Sequence, residues 1–153
     1  MKNKLVLILL LLCCFSLVGC GEEEKKSNSR EIKPEKNKLS CSSESLDDDI
    51  VVYEFKDDKV YSVTLITFQE SESEKEAQST AYLFDSIANT SETDGIKYTI
   101  NADEKDVVIK TIYIIDKLTA EERIKLTSSG LSVDNTKEEI KKEMESHEGV
   151  ICK

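Results

Sequence analysis

Apolar and polar positions change rhythm several times along this chain, and each change predicts an element. Ile50-Val51-Val52-Tyr53-Glu54-Phe55 is β-branched and aromatic, Lys56-Asp57-Asp58-Lys59 is polar, and the strand-like pattern resumes from Val60 to Phe68. Two such runs across a short Asp-containing turn predict an antiparallel hairpin over about 50–68. The period then lengthens. Ala77, Ala81, Phe84, Ile87 and Ala88 recur at helical spacing and give one apolar face to a helix over about 72–89, with small alanines that let it lie close to a sheet. Ser71 with Glu74 and Ser73 with Glu76 offer two overlapping capping boxes at its start.

Alternation returns at Ile96, Tyr98, Ile100 and Ala102 against Lys97, Thr99 and Asn101, the pattern of a strand with one wet face. Asp103 to Asp106 turns the chain into the apolar run Val107 to Ile115, expected to be a central strand. A second hairpin over about 96–116 follows. Capping boxes at Thr119 with Glu122 and at Thr136 with Glu139 start helices over about 119–127 and 136–148. The first is stopped by Ser128-Ser129-Gly130. The second places Ile140, Met144, His147 and Ile151 on one face, with Glu138 and Lys142 paired four residues apart. The expected fold is α+β, an antiparallel sheet built from two hairpins with helices packed on one face.

The N-terminal pattern is of another kind. Lys2 and Lys4 precede an apolar stretch from Leu5 to Val18, shorter than the roughly 20 residues that span a bilayer. Residues 1–19 therefore read as a signal peptide. It closes on Leu17-Val18-Gly19-Cys20, the form of a bacterial lipobox, which in lipoproteins marks diacylglyceryl attachment to the cysteine and cleavage just before it. The alternative is an ordinary secretory signal beside an incidental cysteine. Two or three acyl chains on Cys20, palmitate among them, give stable anchoring where a single chain is marginal. The expected location is the cell membrane, by a lipid anchor, with the body outside the cytoplasm.

Residues 20–37 hold Glu22-Glu23-Glu24-Lys25-Lys26-Ser27-Asn28-Ser29 and the single proline, Pro34, with almost nothing apolar. Such a segment buries too little surface to offset its ordering entropy, which predicts a flexible tether reaching about 20 to 25 Å as a coil. Residues 38–153 fit one domain.

Charge narrows the partners. The net charge of −10 becomes −12 once residues 1–19, with two lysines and no acid, are removed. That balance excludes a nucleic-acid partner, which needs a basic footprint, and leaves membrane attachment to the lipid rather than to anionic headgroups.

Cys13 and Cys14 leave with the signal peptide and Cys20 takes the lipid, so Cys41 and Cys152 remain, one at each end of the domain. Two thiols in an exported protein suggest a disulfide; two independent free thiols are the alternative. A redox-active pair would sit close together as Cys-x-x-Cys, which this pair does not.

These features resemble the YehR-like small bacterial lipoproteins, a family that carries a domain of unknown function. The likeness lies in the lipobox, in Lys59-Val60 opening a long strand, in Gly95-Ile96-Lys97-Tyr98-Thr99-Ile100, in the next Val/Ile-rich strand ending at Ile115-Asp116, and in the closing amphipathic helix. Leu39-Ser40-Cys41 and the ending Cys152-Lys153 are similar to a cysteine-containing branch, and that resemblance supports the disulfide. It covers nearly all of the mature body and brings no functional residue.

Candidate chemistry is sparse. The lone His147 reads as a structural residue on the apolar side of the last helix, since one histidine without partners at ligand spacing cannot build a zinc site. Asp47-Asp48-Asp49, Asp57-Asp58 and Asp103-Glu104-Asp106 are acidic clusters that read as solvated turns, without the ligand order of an EF-hand. There is no Gly-x-Ser-x-Gly elbow, P-loop or dinucleotide fingerprint. No cofactor, metal or catalytic residue is expected. The reading is a monomeric, lipid-anchored, non-catalytic binding or accessory module with an unidentified protein or small-molecule partner. Alternatives are a structural or stress-related envelope lipoprotein with no small ligand and, more distantly, a hydrolase using a carboxylate pair.

Overall fold

A computed structural model describes residues 35–43 and 49–153. The lipobox residues Leu17 to Cys20, the signal peptide, the tether through residue 34, and Asp47 and Asp48 lie outside the described residues.

Six strands form one antiparallel sheet: β1 (Lys38–Ser43), β2 (Ile50–Lys56), β3 (Lys59–Glu70), β4 (Ile96–Asp103), β5 (Asp106–Ile114) and β6 (Val150–Cys152). Their order across the sheet is β4-β5-β3-β2-β1-β6. The helices are α1 (Glu74–Ala88), α2 (Ala120–Ser128) and α3 (Lys137–Met144), with a short 3₁₀ turn at Ile115–Lys117. This is the α+β fold that the pattern predicts, with both hairpins in place as β2–β3 and β4–β5.

The turn chemistry explains the hairpins. Asp57 and Asp58 both take positive φ, 52° and 58°, as a two-residue type I′ turn requires, and aspartate tolerates that region better than most residues. Lys56 pairs with Lys59 across it. At the second hairpin Glu104 takes φ 53° and Asp103 pairs with Asp106.

Side-chain parity places Leu39, Cys41, Val51, Tyr53, Val63, Leu65, Tyr113 and Cys152 on one face, where α2 and α3 supply Leu126 and Ile140 and the segment between them supplies Leu131 and Val133. Beside it, Ala77 and Ala81 of α1 pack on Val107, with Phe84, Ile100, Ala102 and Ile109 around them. The alanines do let the helix approach the sheet closely. Full burial of a side chain such as Leu39 or Ile140, each 1 % exposed, stabilises by about 1.5–3 kcal/mol. All three helices lie on this face. The other face carries Ile50, Val52, Ile66, Phe68, Val108 and Ile112, each half-buried among its strand neighbours.

Helix starts follow the capping rule. Thr119 and Thr136 form reciprocal capping boxes with Glu122 and Glu139. At α1 the cap is Ser73, whose Oγ accepts from the Glu76 amide, while Glu76 reaches back to the Glu72 amide at 3.0 Å.

Four expectations change. Val107 to Ile115 is not the middle of the sheet: β5 is second from the edge, and the twelve-residue β3 lies between it and β2. The last helix ends at Met144, short of residue 148, so His147 stands exposed in the following turn and not on an apolar helix face. Gly149 then takes φ 78° and redirects the chain, which makes Ile151 part of β6, paired with Ser42 and 58 % exposed. The ion pair within α3 and its cap is Lys141 with Glu145, at 3.7 Å, rather than Glu138 with Lys142. Finally, the sheet holds two strands beyond the hairpins, β1 and β6. They extend it beyond β2 and bring Cys41 opposite Cys152.

Candidate functional site

β3 contains an irregularity that sets up the site. Glu54 pairs with Ser62, but the next residue, Phe55, pairs with Val60, so Tyr61 has no partner in β2. This is a β-bulge, which bends a strand and re-aims a side chain. Val60 and Ser62 are buried on either side, while Tyr61 is 42 % exposed.

Tyr61 lines an open cleft of about 410 Å³, together with Glu35, Lys36, Asn37, Lys38, Glu54 and Phe55. The residues leading into β1 supply part of its lining. The Phe55 amide donates to the Asn37 carbonyl at 2.8 Å and the Lys38 amide to the Glu35 carbonyl at 3.1 Å. Lys137 at the start of α3 donates to the Lys36 carbonyl at 3.3 Å, which ties this stretch to the helical layer.

Lys38 is the polar centre. Its Nζ lies 3.0 Å from Glu35 Oε2 and 3.4 Å from Glu54 Oε1. Hydrogen bonding to Glu35 holds the ammonium above its ordinary range, with Glu54 adding to the effect. Ser62 donates its hydroxyl to Glu54 Oε2 at 3.0 Å. Both carboxylates are thus oriented on one lysine, as acceptors with part of their capacity left toward solvent. An ammonium donor, two carboxylate acceptors and a tyrosine ring converge on one depression. That set suits recognition of a polar ligand with an apolar side.

The residues singled out in the sequence fall elsewhere. Cys41 and Cys152 are joined by a disulfide across β1 and β6, 1 % and 4 % exposed. Asp57 and Asp58 sit in the tip of the first hairpin and Asp103, Glu104 and Asp106 around the second. Among the described residues no cluster of three or more His, Cys, Asp or Glu side chains is arranged to hold a metal ion. Sequence reasoning did not reach Glu35, Lys38, Glu54 or Tyr61. The sequence alone holds only a faint sign, two valines three apart at 60 and 63; the structure shows that both face the core. Strict alternation cannot place both there, and the register shift that leaves Tyr61 unpaired is what allows it.

Two further tyrosines report on the covered face. Tyr98 and Tyr113 are held above their ordinary pKa by burial, Tyr98 also by Glu92 and Glu122 and Tyr113 also by Tyr98. Tyr53, fully buried, is pushed up to about 12 by burial and by Glu143.

No protein-family model matches the chain, and no curated protein does either. A solved structure is similar in fold: an NMR structure of a protein from Streptococcus pneumoniae TIGR4, 12 % identical, aligned over 88 % of this chain and 100 % of that one, with a TM-score of 0.53. At that identity the likeness concerns the fold alone.

Proposed function

We propose that this chain is a lipid-anchored extracytoplasmic module of the YehR-like kind, non-catalytic, which binds a partner through the cleft beside Tyr61. The anchor rests on Leu17-Val18-Gly19-Cys20. Export is supported by the buried Cys41–Cys152 disulfide, since such staples belong to oxidising compartments.

The observation that carries the binding reading is the bulge that turns Tyr61 out of β3 into a depression centred on Lys38, Glu35 and Glu54. An exposed aromatic ring beside convergent polar groups is what a binding surface needs, whereas a purely structural envelope protein needs only a polar coat.

The test is a photo-reactive phenylalanine analogue placed at Tyr61 and, as a control, at the exposed Tyr82 of α1, followed by irradiation of intact cells. Adducts are expected from position 61 and not from 82. Equal adducts from both, or none from 61, would favour the structural reading over a binding one.

A further inference from the structure

Around the Tyr61 cleft the backbone is largely used up. The Phe55 amide is bonded to the Asn37 carbonyl, the Lys38 amide to the Glu35 carbonyl, and the Lys36 carbonyl accepts from Lys137. β2, which carries Glu54 and Phe55, is paired on both sides, with β1 and with β3. An extended peptide that adds a strand takes its affinity from a free sheet edge, and β2 offers none. Recognition in the cleft therefore falls to side chains.

Those side chains are polar, reachable and balanced in charge. Lys38 is 35 % exposed, Glu35 60 % and Glu54 41 %. A carboxylate has about four acceptor sites and an ammonium three donors. Glu54, bonded to Lys38 and Ser62, and Lys38, bonded to Glu35 and Glu54, thus keep capacity for a ligand. The exposed Asn37 amide adds a donor and an acceptor in one plane. Glu35 and Glu54 offset Lys36 and Lys38, so the lining is neutral on a chain whose net charge is −10. Such a lining selects neither an anion nor a cation.

An aromatic component completes the set. Phe55 stacks on the buried Tyr53, ring centroids 6.5 Å apart, and packs on the core, which fixes it in place. Tyr61 is the exposed ring of the cleft. A neutral ligand with one apolar face and many hydroxyls matches this chemistry. The C–H bonds on one face of a pyranose lie flat on an aromatic ring, while adjacent hydroxyls, each able to donate and accept, reach a carboxylate and an ammonium together. The volume of about 410 Å³ falls at the lower end of small-molecule sites, about 300–1,000 Å³, which suits a short stretch of glycan.

We propose that the Tyr61 cleft binds a neutral saccharide, its ring laid on Tyr61 and its hydroxyls bridging Lys38, Glu35 and Glu54. This rests on the reading of that cleft as a binding site and names the class of its ligand.

The full chain in mild detergent, applied to a printed array of neutral hexose, pentose and N-acetylhexosamine glycans with sialylated and sulfated glycans beside them, tests this. Signal is expected on neutral glycans and not on the anionic ones. Tyr61→Ala should weaken it about tenfold or more, whereas Tyr61→Phe, which keeps the ring, should bind as the wild type does; both should keep the thermal midpoint. Glu35→Gln with Glu54→Gln leaves Lys36 and Lys38 unbalanced, so signal should spread to the sulfated glycans. Competition by the same glycans free in solution assigns the ligand to soluble sugar, and array binding that they do not compete assigns it to a dense glycan surface. Signal confined to anionic glycans, or neutral binding that Tyr61→Ala leaves intact, overturns the proposal. A silent array with sugar-free protein adducts from the photo-reactive analogue at position 61 overturns it while the binding reading stands. A silent array with no adducts at 61 overturns both.

Discussion

Cys41 stands directly opposite Cys152 in the ladder between β1 and β6, next to a Ser40–Lys153 pair that exchanges two hydrogen bonds of 2.9 Å. The bond joins residues 111 apart, and it fastens the first strand of the domain to the last. β6 has three residues and, among the described residues, its one strand partner is β1, with the Cys152 amide also donating to Glu145 Oε1 at 3.3 Å. Closing a loop of that length restricts the unfolded chain by about 4 to 5 kcal/mol in the chain-entropy model. The double variant Cys41→Ala, Cys152→Ala should lose stability of that order in denaturant unfolding. It should also lose amide protection in β6 before the rest of the sheet.

Gly95 sits where β4 begins against the 3₁₀ turn. A Cβ there would lie 2.7 Å from the Lys117 carbonyl oxygen and 2.8 Å from the Leu118 nitrogen. Both are backbone atoms that cannot swing aside. Gly95→Ala should therefore destabilise by about 1–3 kcal/mol, as overpacking does, read as a fall in the denaturant midpoint with an unchanged slope.

The two reciprocal capping boxes give a pH dependence with a definite sign. Glu122 and Glu139 are held below their ordinary range chiefly by the backbone amides of Thr119 and Thr136. A carboxylate lowered in the folded state contributes stability above its unfolded pKa and loses it as pH falls through the folded value. Stability should decline on acidification below the ordinary glutamate range. Thr119→Ala or Thr136→Ala should cost about 1 kcal/mol at neutral pH yet keep most of that acid slope, because the backbone amide remains, whereas Glu122→Gln with Glu139→Gln should flatten it.

Tyr53 is the largest fully buried side chain, and its hydroxyl has no hydrogen-bond partner among the described residues. Leaving a buried polar group unmatched costs about 1–3 kcal/mol. Tyr53→Phe should accordingly hold or raise the thermal midpoint. The alkaline limb carries the opposite sign to the acid one. With the folded phenol near 12 against an ordinary 10, stability is retained below pH 10 and lost above it, and Tyr53→Phe should lessen that loss. Phenolate absorbance followed together with unfolding checks both.

Elements with a long, clean period were legible in the sequence: β2–β3, α1, β4–β5, and both capping-box starts. The two missing strands were not, for physical reasons. β1 reads Lys-Leu-Ser-Cys-Ser-Ser, whose serines have little strand preference and which alternates over only two apolar residues. β6 is fixed by pairing with residues more than 100 positions away, which no local pattern records. His147 and Ile151 continued the helical spacing of Ile140 and Met144, but Gly149 and the pairing with β1 overrode it. Of the candidate site, Lys38 and Glu35 lay in what the sequence suggested was tether or its margin. Tyr61 was masked because a bulge breaks the period-two rule at that point. The disulfide was legible because reading residues 1–19 as a signal peptide and Cys20 as lipidated leaves two thiols, Cys41 and Cys152.

The anchor on Cys20 is the claim on which the proposed location and the tether both depend. Its most direct test is incorporation of labelled palmitate into the wild-type chain and into Cys20→Ala, with membrane fractionation and globomycin treatment alongside. The wild-type chain should take the label, fractionate with membranes and accumulate unprocessed under globomycin, while Cys20→Ala takes none. Label that persists without Cys20, or an unlabelled chain of unprocessed size whatever the treatment, would contradict the account.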